Sequence, residues 1–417
     1  MSRRWLIGVR VSGGLFSAWV FAALLVVACD DDPPSPDPPA PARWELEGDP
    51  TRGRTALAAH ECNRCHEGTG LPAVPMEKHC VRCHTEILSG DFEAPEEALN
   101  RWQGNIRSLV AVPSLASTAR FRRAWVAEFL QAPYDLRPGN QAMMPRLAID
   151  EDRARDLATV LIPEAPAAGE EPDPALRSEG RRLFRAKGCA TCHRFSGARG
   201  ALAGVLPIEV EAEVLVLGQQ LAPDLRFARE RMQGALLARF IHHPESVTEA
   251  SPMIRVPMTR EEAEALASFV WHEPLEAVEL PPMPEALPLL EREVEFAEVR
   301  ERLFRKVCWH CHSDPDYALG DGGPGNTGGF GFVARGVNLA EYQDVMSGYR
   351  DPSGRRRSLF RRVDGGKPRI VAALWARHRE LRGEIDPEVR GMPLGLPPIP
   401  VEEIQLLESW IAQGRPE

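Results

Sequence analysis

The pattern Cys-x-x-Cys-His occurs four times, ending at His66, His84, His193 and His312. The paired thiols are Cys62 and Cys65, Cys80 and Cys83, Cys189 and Cys192, and Cys308 and Cys311. These take eight of the nine cysteines; the ninth, Cys29, closes an N-terminal apolar run. Such a trio projects two thiols and an imidazole from one turn of chain. The fold must therefore present four small, chemically identical sites. The first two pairs are spaced C-x2-C-x14-C-x2-C, close to a zinc ribbon. That reading explains neither the histidine after every pair nor the isolated pairs at 189 and 308. A disulfide framework would also leave the four histidines as coincidence.

A covalently held haem c accounts for the whole set. Two thiols two residues apart form thioethers to its vinyl groups, and the adjacent histidine becomes the proximal iron ligand. Four haems are expected, with His66, His84, His193 and His312 beneath their irons.

The N-terminus indicates where this chemistry occurs. Arg3, Arg4 and Arg10 precede an apolar run over 11–28, which closes with Val26-Val27-Ala28-Cys29. The order basic, apolar, small is that of a secretory signal. Its end resembles the lipobox of bacterial lipoproteins, which implies removal of 1–28 and lipidation of Cys29. An uncleaved membrane helix is the alternative, since 18 residues nearly span a bilayer. Either way the remainder lies outside the cytoplasm, in the periplasm and anchored to the membrane. Residues 29–48, with Asp30-Asp31-Asp32 and six prolines, cannot bury a core and read as a semi-rigid tether. The chain has 50 basic and 60 acidic residues, a net of −10, which argues against nucleic acid as partner.

Two proline-rich breaks, at 163–174 and 274–288, divide the rest. The expected units are 49–165, 175–275 and 292–417, the first carrying two attachment motifs. Gly53-Arg-Thr-Ala-Leu leads to Cys62 in nine residues, as Gly180-Arg-Arg-Leu-Phe leads to Cys189; Arg302-Leu-Phe-Arg approaches Cys308 similarly. Apolar residues at helical spacing predict a helix delivering each motif. Met144, Met253 and Met392 precede closing helices opened by Asp150, Thr259 and Pro400, with acids in the first turn.

These features resemble class I cytochrome c domains. The resemblance covers most of the three units. It implies a mainly α fold, with three such helical domains in tandem and two haems in the first. It also implies that Met144, Met253 and Met392 ligate iron, and that Pro113 and Pro223 lie beside proximal histidines. His/Met ligation raises the reduction potential relative to two imidazoles. Met143 and Met258 are near rivals for the methionine positions.

The first unit departs from that pattern, because 14 residues separate Cys65 from Cys80 and one methionine cannot serve two irons. The helix match assigns Met144 to the haem of Cys62. The 60-residue spacing from His84, equal to that from His193 to Met253, assigns it to the haem of Cys80. The helix match is preferred, since loop lengths vary easily. The other iron then needs His79 or His60. His242 and His243 read as structural, and the glycine-rich 320–331 as a mobile loop after the fourth haem, near its exposed edge. The arginine-rich stretch 350–382 reads as a solvated face, as arginines that neutralise haem propionates, or as a docking patch for an acidic redox partner. The expected function is single-electron transfer between redox proteins, either other cytochromes or a membrane respiratory complex, without enzymatic activity. The alternative is a peroxide or nitrogen-oxide reductase using one open-site haem in the first unit.

Overall fold

The computed structural model describes residues 48–417 except 107–111, 117, 139–143, 164–168, 249–250, 281, 315–322 and 364–365. Cys29, the signal, the tether and Met143 therefore lie outside the described residues. The described chain is mainly helical, with one two-stranded sheet, β1 (Tyr349–Arg350) and β2 (Arg356–Arg357), antiparallel and in register Tyr349 with Arg357. Among the described residues no helix is long and apolar enough to cross a membrane.

The first segment holds α1 (Pro50–Ala59), α2 (Cys80–Ser89), α3 (Glu96–Asn105), α4 (Arg123–Gln131) and α5 (Glu151–Leu161). Asp49 caps α1 by accepting from the Thr51 and Arg52 amides, with Pro50 at the first helical position. The Asp49 amide donates to buried Asp156 on α5 at 2.7 Å, and Arg52 makes a two-pronged pair with the same carboxylate. Gly53 lies where α1 crosses α5: a Cβ there would collide with the Asp156 carbonyl and Val160. Leu57, Leu157 and Ile162 are almost fully buried in this core. Each contributes about 1.5–3 kcal/mol from removal of apolar surface from water.

The middle segment repeats the arrangement with α6 (Arg177–Ala186), α7 (Ala212–Leu221), α8 (Ala228–Arg231), α9 (Gly234–His242) and α10 (Arg260–His272). Gly180 on α6 meets the Ala265 carbonyl of α10 as Gly53 meets Asp156. Thr259 and Glu262 form a reciprocal capping box at the start of α10. Phe184, Phe195 and Phe269 pack with centroids 5.4–6.4 Å apart in the core beneath it.

In the third segment α11 (Phe296–Val299) runs into a π-helical stretch, Arg300–Cys308, followed by α12 (Tyr342–Ser347), α13 (Arg369–Glu380) and α14 (Val401–Ala412). Trp410 on α14 is fully buried against Phe296, Tyr342 and Phe360. The preceding extended chain is pinned to α14, with Leu290 N donating to Ser409 Oγ and Val294 N to Gln413 Oε1, both at 2.9 Å. The earlier proline-rich break is likewise fastened at its end: Ser268 and His272 on α10 bond the Asp173 and Pro172 carbonyls.

The first segment contacts both others. Toward the middle segment, Arg122 N donates to Arg231 O, Gln233 N to Arg120 O and Asp224 N to Leu136 O, each at 2.8 Å. Tyr134 accepts from Trp125 Nε1 at 2.9 Å and donates to Glu230 at 2.8 Å, with its ring 4.8 Å from Phe227. Toward the third segment, Arg146 pairs with Glu380 at 3.4 Å, and Arg390 donates to the Arg146 carbonyl. Among the described residues no hydrogen bond or ion pair joins 169–280 to 282–417.

Candidate haem sites

Three of the four motifs adopt one turn. His66 N donates to Cys62 O at 2.9 Å, His193 N to Cys189 O at 3.0 Å and His312 N to Cys308 O at 3.0 Å. In each, the second cysteine amide also bonds the first cysteine carbonyl, at 3.2–3.3 Å. The turns of Cys62 and Cys189 follow residues in the left-handed region, Glu61 and Gly188, which end the preceding helices sharply. The turn of Cys308 follows the π-helical stretch directly. The second motif differs: Cys80, Cys83 and His84 lie in the first turns of α2.

His66 Nδ1 lies 2.8 Å from the Pro113 carbonyl, and His193 Nδ1 lies 3.0 Å from the Pro223 carbonyl. A carbonyl only accepts, so Nδ1 carries the hydrogen in both rings and Nε2 keeps its lone pair. That is the tautomer an iron requires, with the ring's rotation fixed from behind. Loss of water pushes the His66, His193 and His312 imidazoles toward the neutral form, His312 to about 4. His312 differs in its partner: the Val337 carbonyl is near enough to favour the charged ring, yet Nδ1 makes no hydrogen bond of normal geometry. Among the described residues this nitrogen is unsatisfied.

No disulfide joins the eight described cysteines. Burial raises Cys62 and Cys189 to about 11 and Cys308 to about 12. Cys65 is raised most by its hydrogen bond with Cys80 and then by burial, so the first two motifs touch through their thiols. Among the described residues no three Cys, His, Asp or Glu side chains converge as on a metal ion. Paired thiols on one turn, with a neutral imidazole presenting Nε2, fit a covalently attached haem.

Met144 is half-buried against the core of the first segment. Met253 is half-buried in its loop, with its amide on Ser251 Oγ at 3.3 Å. Its rival Met258 packs in the core, and its carbonyl contacts His242 Nε2 at 3.2 Å. Met392 packs on the third core, its amide bonded to Ala373 O at 2.9 Å; Met283, which sequence reasoning passed over, joins the same core.

The two histidines considered for the remaining iron are both buried but differently engaged. His79 caps α2, its Nδ1 accepting from Arg82 N at 3.2 Å, so Nε2 carries the hydrogen and reaches Glu67 at 3.1 Å. Both its nitrogens are in use. His60, at the end of α1, sets Nδ1 3.2 Å from the Phe330 carbonyl. Among the described residues its Nε2 has no hydrogen-bond partner.

The described part of the glycine-rich stretch lies at the fourth motif and also reaches the start of the first. Gly325 lies against the His312 ring, and Phe330 reaches the first motif. In the arginine-rich stretch Arg357 pairs with Asp351 at 2.8 Å, Lys367 with Glu408 at 3.0 Å and Arg379 with Asp386 at 3.2 Å, while Arg350, Arg355, Arg356, Arg361 and Arg362 are exposed. His310, between the two cysteines of the fourth motif, sits 6.5 Å from the His84 ring, so the second and fourth motifs are neighbours. No local pattern announces such a contact, because the two rings lie far apart in sequence.

Compared with known proteins, residues 178–273, from α6 through α10, match the family model Cytochrome c. No curated protein and no solved structure matches the chain. The chain thus carries a c-type cytochrome domain, its helical structure is consistent with a cytochrome c-like fold, and covalently bound haem c follows for that domain.

Proposed function

We propose that the chain is a tetrahaem c-type cytochrome that carries electrons between redox proteins outside the cytoplasm while tethered to a membrane. The observation that carries this reading is the recurrence of one attachment turn in three motifs. Two of these fix their imidazoles through a proline carbonyl, one of them inside the segment matched as Cytochrome c. When bound, each haem supplies a one-electron iron couple. The chain's own residues hold it by paired thiols, orient the proximal imidazole and exclude water from it.

In this reading the three segments are successive cytochrome c-like units, and Met144, Met253 and Met392 complete the iron coordination of His66, His193 and His312. The contact of His66 with Pro113 supports giving Met144 to the first motif. Saturated irons suit a carrier rather than an enzyme. Partners are other cytochromes or a membrane respiratory complex. Cys29 is the lipid anchor, so Cys29→Ser is expected to release the protein from the membrane fraction.

A spectroscopic redox titration with a haem count tests the proposal. Four haems per chain are expected, mostly with His/Met spectra; fewer than three covalent haems would overturn it. Carbon monoxide binding by the untreated reduced protein would instead support a reductase with an open iron.

A further inference from the structure

We infer that His60 is the axial ligand of the second motif's iron, opposite His84, and that a loop of the third segment positions it. This rests on the reading that the second motif carries a haem. The argument begins with tautomers. The Phe330 carbonyl accepts from His60 Nδ1, which leaves the lone pair on Nε2, the nitrogen able to bind iron. His79, the other candidate, spends Nδ1 on the α2 cap and Nε2 on Glu67. Ligation by His79 would forfeit both bonds.

Phe330 is itself clamped. Its amide donates to Glu61 Oε2 at 2.8 Å, and the Arg64 guanidinium lies over its ring at 4.6 Å. Arg64 stands inside the first attachment motif and is buried; it pairs with Glu61 at 3.5 Å and bonds the Lys78 carbonyl at 3.2 Å. Lys78 leads directly into the second motif. One cluster, centred on Arg64, therefore joins the end of α1, the start of α2 and the third segment's loop, and His60 packs on it through Phe330 and Gly331. Gly331 completes it: a Cβ there would strike the His60 ring, so the loop can lie flat on the imidazole only with glycine. Glu61, Phe330 and Gly331 are positioning residues, since they act on the iron only through His60.

The test uses full-length holoprotein. Reduced wild type is expected to bind no carbon monoxide, and one of its haems to titrate below the others as a bis-imidazole site. His60→Ala should keep four covalent haems, lose that low-potential component and bind one carbon monoxide per chain; added imidazole should restore the wild-type spectrum. Gly331→Ala should give part of the same change, and His79→Ala none. Rescue by imidazole separates a ligand from a merely structural residue. Four haems with an unchanged His60→Ala spectrum would overturn the inference alone, as would carbon monoxide binding by His79→Ala instead. Absence of haem from the second motif in the wild type would overturn the reading beneath it. If His60→Ala does not fold, Glu61→Gln supplies the second arm, and an unshifted low-potential component in it would count against the clamp.

Discussion

At the scale of single residues, one interaction decides much at His60, His66 and His193: the carbonyl facing the histidine's Nδ1. It sets the tautomer, and so separates His60 from His79 although both are buried. The methionines divide similarly. Met258 is committed to the middle core, whereas Met253 lies in the loop. Met253→Leu is expected to lower the midpoint potential of one haem by on the order of 0.1 V, and Met258→Leu to leave it unchanged, as read by redox titration. At the start of α10, Thr259→Ala should cost about 1 kcal/mol in a urea titration, the usual loss for a helix cap. Glu262 there is held below its ordinary 4.5, first by the Lys187 ammonium and then by the Thr259 amide. A carboxyl depressed in the folded state stabilises above its unfolded value and loses that contribution as pH falls through the lower folded one. The stability difference between wild type and Glu262→Gln should therefore shrink on acidification from about pH 6 to 3.

At the scale of elements, the helix before three of the motifs and the helix closing each segment were legible from spacing, caps and acids. Asp150, Thr259 and Pro400 stand at the N-caps where the pattern put them. The glycines nine residues before Cys62 and Cys189 were legible as a repeat but not as a crossing point. Their role appears only when α1 meets α5 and α6 meets α10. Gly180→Ala is expected to destabilise by about 1–3 kcal/mol despite alanine's better helix propensity, because the added methyl meets a backbone carbonyl that cannot yield. Gly104→Ala on α3, with open space around it, should be neutral or stabilising by up to about 1 kcal/mol. Parallel thermal melts would distinguish the two. The π-helical approach to Cys308 had no counterpart in the sequence pattern, and we have no physical account of it.

At the scale of the whole molecule, the two-motif segment, first in sequence, contacts both of the others. Its seam with the middle segment rests on Tyr134, whose hydroxyl joins Trp125 to Glu230. Tyr134→Ala should cost about 3 kcal/mol and split one calorimetric transition into two, as the segments lose their coupling. The sequence by itself marked the four candidate attachment motifs and the helices around three of them. Those depend on residues within a few turns of one another, where residue type and spacing dictate the bonds. Only the tertiary structure decided which motifs are neighbours, which histidine keeps a free lone pair and where the glycine-rich loop lies. These depend on contacts such as His60 with Phe330, 270 residues apart. A bond between two distant backbones leaves no periodicity or motif at either end, so nothing in the linear chain could have announced it.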